Sequence, residues 1–270
     1  MLPLAGHELG HTIWNLKDFE TKFDSNLEQH VLSAIAADKS SYQKYFPNHQ
    51  IKSSDTAIEL NVNIFVKRTI APVLKLALAR AQEYFCDSVG VYLFDQAFLH
   101  SYAYLVSPSI ACPRHLHYPN NIARIRNTIN AAAYFRKSAP DLYQVPPDFM
   151  SMFEDSPEPG DAEQQYLSSL ADIAAEQLCN TLIPEAENLL KAASAPQLNT
   201  KIRDAILDEF RLGVPGCNAT SVTNILNAGW IVYNDAKFWS HITDDIKRKK
   251  VLGNLVIKNI ELLEIEHLAP

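Results

Sequence analysis

Glycine is scarce in this chain, with eight among 270 residues. So few residues able to take positive φ argues against a turn-rich β architecture, and apolar residues recurring at three and four argue for helix. The four cysteines (Cys86, Cys112, Cys179 and Cys217) are widely spaced and form no CxxC pair. That is against a disulfide framework and reads as reduced thiols in a cytoplasmic protein. Positive charge is also in short supply. A net charge of -7 argues against a nucleic-acid surface, and the one basic run, Lys247-Arg248-Lys249-Lys250, reads as a solvated helix start. No apolar stretch reaches about 18 residues, so no transmembrane helix is expected. The N-terminus lacks a charged start followed by an apolar core, so no signal peptide is expected either. What remains is an ordinary globular composition, 47% hydrophobic and 20% charged, long enough for one large domain or two small ones.

Against that background one stretch stands out: Leu4-Ala5-Gly6-His7-Glu8-Leu9-Gly10-His11-Thr12-Ile13-Trp14. On a helix His7 and His11 lie one turn apart and project from one face, where two imidazoles take two corners of a tetrahedral zinc site. Glu8, beside the first ligand, is placed to reach water at the open corner. The uncharged neighbours suit a buried helix, and Pro3 suits its first turn.

A two-histidine helix needs a third protein ligand, and the strongest candidate is in Ala79-Arg80-Ala81-Gln82-Glu83-Tyr84-Phe85-Cys86-Asp87. Glu83 and Asp87 are four apart and share a helix face. Glu83 can bind the metal, and Asp87 can accept the second ring N–H of a ligand histidine. A solvated acidic pair is the alternative, but an unpaired carboxylate among Ala81, Phe85 and Val89 would be costly. Cys86 could approach the metal as well, although a buried apolar cysteine is the simpler reading.

Along the chain, Ser25-Asn26-Leu27-Glu28 reads as a capping box opening a helix to about Asp38, and residues 39–54 read as a loop. Residues 58–66 alternate like a strand yet also fit a helical face through Ile58, Val62, Phe65 and Val66, and helix is favoured. A strong helix is expected from Ala71 to Phe94, with Pro72 in its first turn. A shorter helix follows Asp95, then a break at Ser107-Pro108-Ser109, then a helix capped by Asn120 or Asn121. Residues 138–160, with Pro140, Pro146, Pro147, Pro157 and Pro159 among acidic residues, read as a linker or surface loop. Helices are expected near 161–193, 197–212, 220–233 and 245–265. This divides the chain into a core at 1–137, the proline-rich segment at 138–160 and a helical C-terminal region at 161–270.

The paired motifs resemble the HtpX-like and CAAX-prenyl-protease family of gluzincin metallopeptidases, which follows HExxH with a downstream Glu-x-x-Ala-Asp helix. Here the second motif reads Glu83-Tyr84-Phe85-Cys86-Asp87, departing at Cys86. The family's His-Pro segment, with an arginine five residues after the proline, is matched by Pro119 and Arg124, but Tyr118 takes the histidine position and His117 lies one further back. The resemblance spans about residues 1–137, without the family's membrane helices, and implies a mainly α, zincin-like core. It also implies Zn2+ held by His7, His11 and Glu83, with Asp87 behind a ligand histidine and His117 and Arg124 as candidates for substrate or oxyanion contact. Zinc lowers the pKa of its water toward ~7; Glu8 takes the proton and passes it to the leaving amine of a protein or peptide substrate. Two other readings stand beside this metalloendopeptidase. One is an ImmA/IrrE-like regulatory protease of one repressor. The other is a non-catalytic helical interaction module, favoured by the few residues before His7, where such peptidases carry the edge strand that pairs with substrate.

Overall fold

The computed structural model describes residues 2–106, 116–154, 160–216 and 219–268. Among these residues all regular structure is helical and the protein is mainly α. Eleven α-helices are described: α1 Ala5–Leu16, α2 Phe19–Ala37, α3 Lys39–Tyr45, α4 Ala57–Asn61, α5 Ile64–Phe94, α6 Gln96–Val106, α7 Asn121–Arg136, α8 Ala162–Ala192, α9 Thr200–Arg211, α10 Val222–Asn234 and α11 Asp245–Leu268. None is long and apolar enough to cross a membrane.

The centre is α5. From Arg80 to Leu93 every residue but Gln82 is buried, the polar Arg80, Glu83, Asp87 and Ser88 included. α1, α2, α7 and α8 pack around it. Trp14 of α1 sets its indole against Phe19 and Phe23 of α2, at 5.4 and 6.3 Å, and against Phe85 of α5 at 5.7 Å.

That aromatic cluster explains why α2 begins at Phe19 and not at the expected capping box. Phe19 and Phe23 are buried against Trp14, so packing extends the helix and leaves Ser25 in its interior. Residues 39–54 are not simply loop: Asp38 accepts from Ser41 N at 3.1 Å and caps α3, which buries Tyr42. The ambiguous segment is helical. A Thr56–Glu59 capping box starts α4, and Asn63 restarts the chain by accepting from Phe65 N at 3.0 Å. The expected helical face holds only at Val66, however: Ile58, Val62 and Phe65 are exposed, and Leu60 is buried in their place. Pro72 therefore stands inside α5, not in its first turn. The expected break at Ser107-Pro108-Ser109 lies outside the described residues.

The C-terminal helices fall close to their expected spans, with α8 opened by an Asp161–Gln164 capping box. Their grouping is less simple. One apolar core runs from Trp14 to Leu190 and includes α8, and a second runs from Ile206 to Leu263. The two meet where α10 caps the carbonyl end of α5: Thr223 donates to Leu93 O at 2.7 Å, and Asn227 donates to Phe94 O at 2.9 Å.

Candidate metal centre

Two glycines bring α1 unusually close to α5. A Cβ on Gly10 would lie 2.6 Å from Cys86 Cα, and one on Gly6 would lie 3.0 Å from Gly90 Cα. Gly6 precedes His7 and Gly10 precedes His11, so at these two points the face that touches α5 carries no side chain. The adjacent face then holds both imidazoles over the carboxylates of α5.

Four predicted residues converge there. His11 Nε2 is 3.2 Å from His7 Nε2, Glu83 Oε2 is 3.5 Å from His7 Nε2, and Glu83 Oε1 is 3.6 Å from His11 Nε2. Ligands at the usual zinc distances, placed at tetrahedral corners, stand about 3.3–3.5 Å from one another. The three donors are thus already at metal-binding separation. Glu83 is 7% exposed, and its Oε2 accepts no hydrogen bond among the described residues, although an Arg124 nitrogen lies 3.0 Å away. The buried Glu83 carboxylate is thus held by Arg124 on one side and turned toward the two imidazoles on the other.

Asp87 lies behind His7, with Oδ1 2.9 Å from His7 Nδ1. As acceptor it fixes the tautomer with the proton on Nδ1, which leaves the Nε2 lone pair facing Glu83 and His11. Asp87 is 1% exposed. Burial alone would raise its pKa, but the Arg124 guanidinium and the hydrogen bonds from Arg124 and His7 outweigh it and hold the carboxyl below its usual range.

Arg124, near the start of α7, grips Asp87 at both oxygens, Nε to Oδ2 at 2.6 Å and an NH2 nitrogen to Oδ1 at 2.9 Å, and also reaches Glu83. The ring of Tyr102 covers its other side, 5.2 Å from Cζ to centroid. Burial works against its charge, but Asp87 and Glu83 raise its pKa well above the ordinary value. The guanidinium is therefore engaged with the carboxylates of α5. It is placed as a basic residue that orders the site would be. His117 is exposed on the segment before α7, and His115 lies outside the described residues.

Glu8, on α1 between the two histidines, is exposed and makes no hydrogen bond or ion pair among the described residues. Cys86 Sγ is within 4.8 Å of the histidine nitrogens. Burial, followed by the charges of Asp87 and Glu83, pushes this thiol far up, and it is fully enclosed. Ligation requires the thiolate, so Glu83, whose carboxylate oxygens stand 3.5 and 3.6 Å from the two imidazoles, is the better third donor.

Two residues escaped the sequence reading. Tyr102 gave no signal, since its role depends on α6 folding back beside α7. Arg80 did give one, as a lone cation in an apolar run. It is completely buried, pairs with Asp172 of α8 at 2.9 Å, and donates to Ser168 O at 2.6 Å and Leu116 O at 2.9 Å. It thereby ties α5, α8 and the segment leading to α7 together one turn from Glu83.

No family model, curated protein or solved structure matches this chain.

Proposed function

We propose that the protein is a zinc-dependent metalloendopeptidase. The observation that carries this reading is the convergence of His7 Nε2, His11 Nε2 and both Glu83 oxygens at 3.2–3.6 Å, backed by an aspartate on the first histidine. Two imidazoles and one carboxylate suit zinc, and three protein ligands leave a position open for water or substrate. When bound there, zinc supplies Lewis acidity and makes its water acidic near neutral pH.

The chain's own residues do the rest. Asp87 holds the proton of His7 on Nδ1, which in the neutral ring turns the Nε2 lone pair toward Glu83 and His11. With the His7 proton on Nδ1, the 3.2 Å contact between the two Nε2 atoms is one His11 Nε2 would donate, and His11 would have to present that nitrogen unprotonated to hold a metal. Arg124 offsets one of the two carboxylate charges of α5, leaving the three-donor set neither strongly repelled nor over-neutralised. Glu8 stands outside this network, so its carboxylate is available to take a proton from water and return it to the leaving amine. The substrate is a protein or peptide.

Glu8→Gln tests the mechanism. The variant is expected to keep zinc and to lose cleavage of an unstructured protein substrate. Turnover near that of the unaltered protein would refute Glu8 as the base. A second reading, a non-catalytic helical module with structural zinc, draws on one observation: among the described residues no strand offers an edge to an extended peptide. Peptide binding without cleavage by the unaltered protein, undiminished by Glu8→Gln, would decide for it.

A further inference from the structure

A second site lies away from the metal centre. Where the segment Leu2–Leu4 passes α6, α10 and α11, a cleft of about 350 Å³ opens. Its walls are chiefly Leu2, Leu226, Trp230, Leu252, Val256 and Ile257. Gly229 and Gly253 widen it: a Cβ on Gly253 would meet nothing within 4 Å. The size falls within the range of small-ligand pockets, and the lining is the apolar kind.

Two polar features break that lining. Ser101 is 3% exposed, and its Oγ has no hydrogen-bond partner among the described residues, although it faces the cleft. A hydroxyl enclosed in this way asks for a ligand acceptor. One helical turn on is Tyr104, with Lys249 Nζ 5.0 Å from its ring centroid and 3.4 Å from its hydroxyl. Lys249 also pairs with Asp245 at 2.8 Å, which occupies only one of the three ammonium N–H groups.

The walls themselves narrow the ligand class. They are helix faces whose backbone groups are bonded along their own axes, so an extended peptide finds no edge to pair with. A ligand that needs no backbone partner but brings one anionic acceptor fits instead. We propose that this cleft binds one medium-chain fatty acid, its carboxylate held by Ser101 and Lys249 beside Tyr104 and its tail lying between α10 and α11 toward Val256 and Ile257.

The test is titration of the full chain with octanoate, decanoate and dodecanoate below their micelle concentrations, read by calorimetry and by displacement of anilinonaphthalene sulfonate. The expected result is one fatty acid per chain, bound about fourfold tighter for each added methylene until the cleft is full. Gly253→Leu fills the cleft from a position with open space and replaces a helix glycine, so it should raise Tm while abolishing displacement. Ser101→Ala should weaken dodecanoate by at least about fivefold. Binding that Gly253→Leu leaves intact, affinity that does not rise with chain length, or association with phosphatidylcholine vesicles in the absence of dodecanoate binding would each overturn the proposal.

Discussion

Replacing Arg124 with methionine removes the guanidinium that pairs with Asp87 while keeping much of the packed stem. Asp87 is 1% exposed and accepts two hydrogen bonds from the guanidinium, at 2.6 and 2.9 Å. Removing one partner of a buried ion pair leaves an uncompensated charge and costs about 3–5 kcal/mol. Against a typical stability of about 5–15 kcal/mol this is a large fraction. At about 2–4 °C per kcal/mol for a chain of roughly this size, Tm should fall by about 6–20 °C. The loss should depend on pH. In the unaltered protein the folded pKa of Asp87 is depressed, so its contribution is present above the unfolded value near ~3.9 and is lost as pH falls through the folded pKa. In the variant the carboxyl escapes its cost by protonating. The gap between the two proteins is therefore widest at neutral pH and closes as pH falls toward ~4. Urea denaturation followed by far-UV circular dichroism across that range measures it. Asp87→Asn in the Arg124→Met background should recover part of the loss, since no buried charge is left. A cost under about 1 kcal/mol that does not vary with pH would refute the reasoning, because that is the behaviour of an exposed pair.

Three further outcomes follow from the same structure. Gly10→Ala drives a methyl to within 2.6 Å of Cys86 Cα and should cost about 1–3 kcal/mol and weaken zinc binding, whereas Gly253→Ala should gain up to about 1 kcal/mol; calorimetric melting and zinc titration report both. Asp95 is buried at φ 50°, and burial raises its carboxyl pKa, so the stability associated with it is present below the unfolded value and lost as pH rises through the folded pKa. Asp95→Asn should remove that part of the pH dependence, seen as a stability gain relative to the unaltered protein on going from about pH 4 to neutrality; unchanged pH profiles would contradict it. Cys86 and Cys179, both enclosed with their thiols held protonated, should resist alkylation until urea unfolds the chain, as mass mapping of labelled peptides would show.

The helical class and most C-terminal helices were legible because periodicity, capping residues and low glycine all agreed, as at Asp161–Gln164 and Asn120. The start of α2 was not, because a local capping signal at Ser25 lost to the packing of Phe19 and Phe23 on Trp14, a contact no window of sequence contains. Likewise Pro72 looked like a first-turn residue until Asn63 was seen to cap α5 a full two turns earlier. That His7 and His11 share a face was legible from their spacing, as was the pairing of Glu83 with Asp87, but that the two pairs face each other depends on α1 packing on α5. For Arg124 the position and a site-ordering role were legible from the family resemblance, but not its partners, since its engagement with Asp87 and Glu83 arises from α7 packing on α5. The part played by Gly6 and Gly10 was also hidden, although two small residues four apart beside two histidines mark a close helix approach.

Zinc content of the purified protein, measured by elemental analysis beside Glu83→Ala and Cys86→Ser variants, bears most directly on the metal centre. About one zinc per chain in the unaltered protein, retained by Cys86→Ser and lost or much weakened in Glu83→Ala, is the predicted result. No zinc after adding it back, or zinc that survives Glu83→Ala but not Cys86→Ser, would contradict the three-donor site.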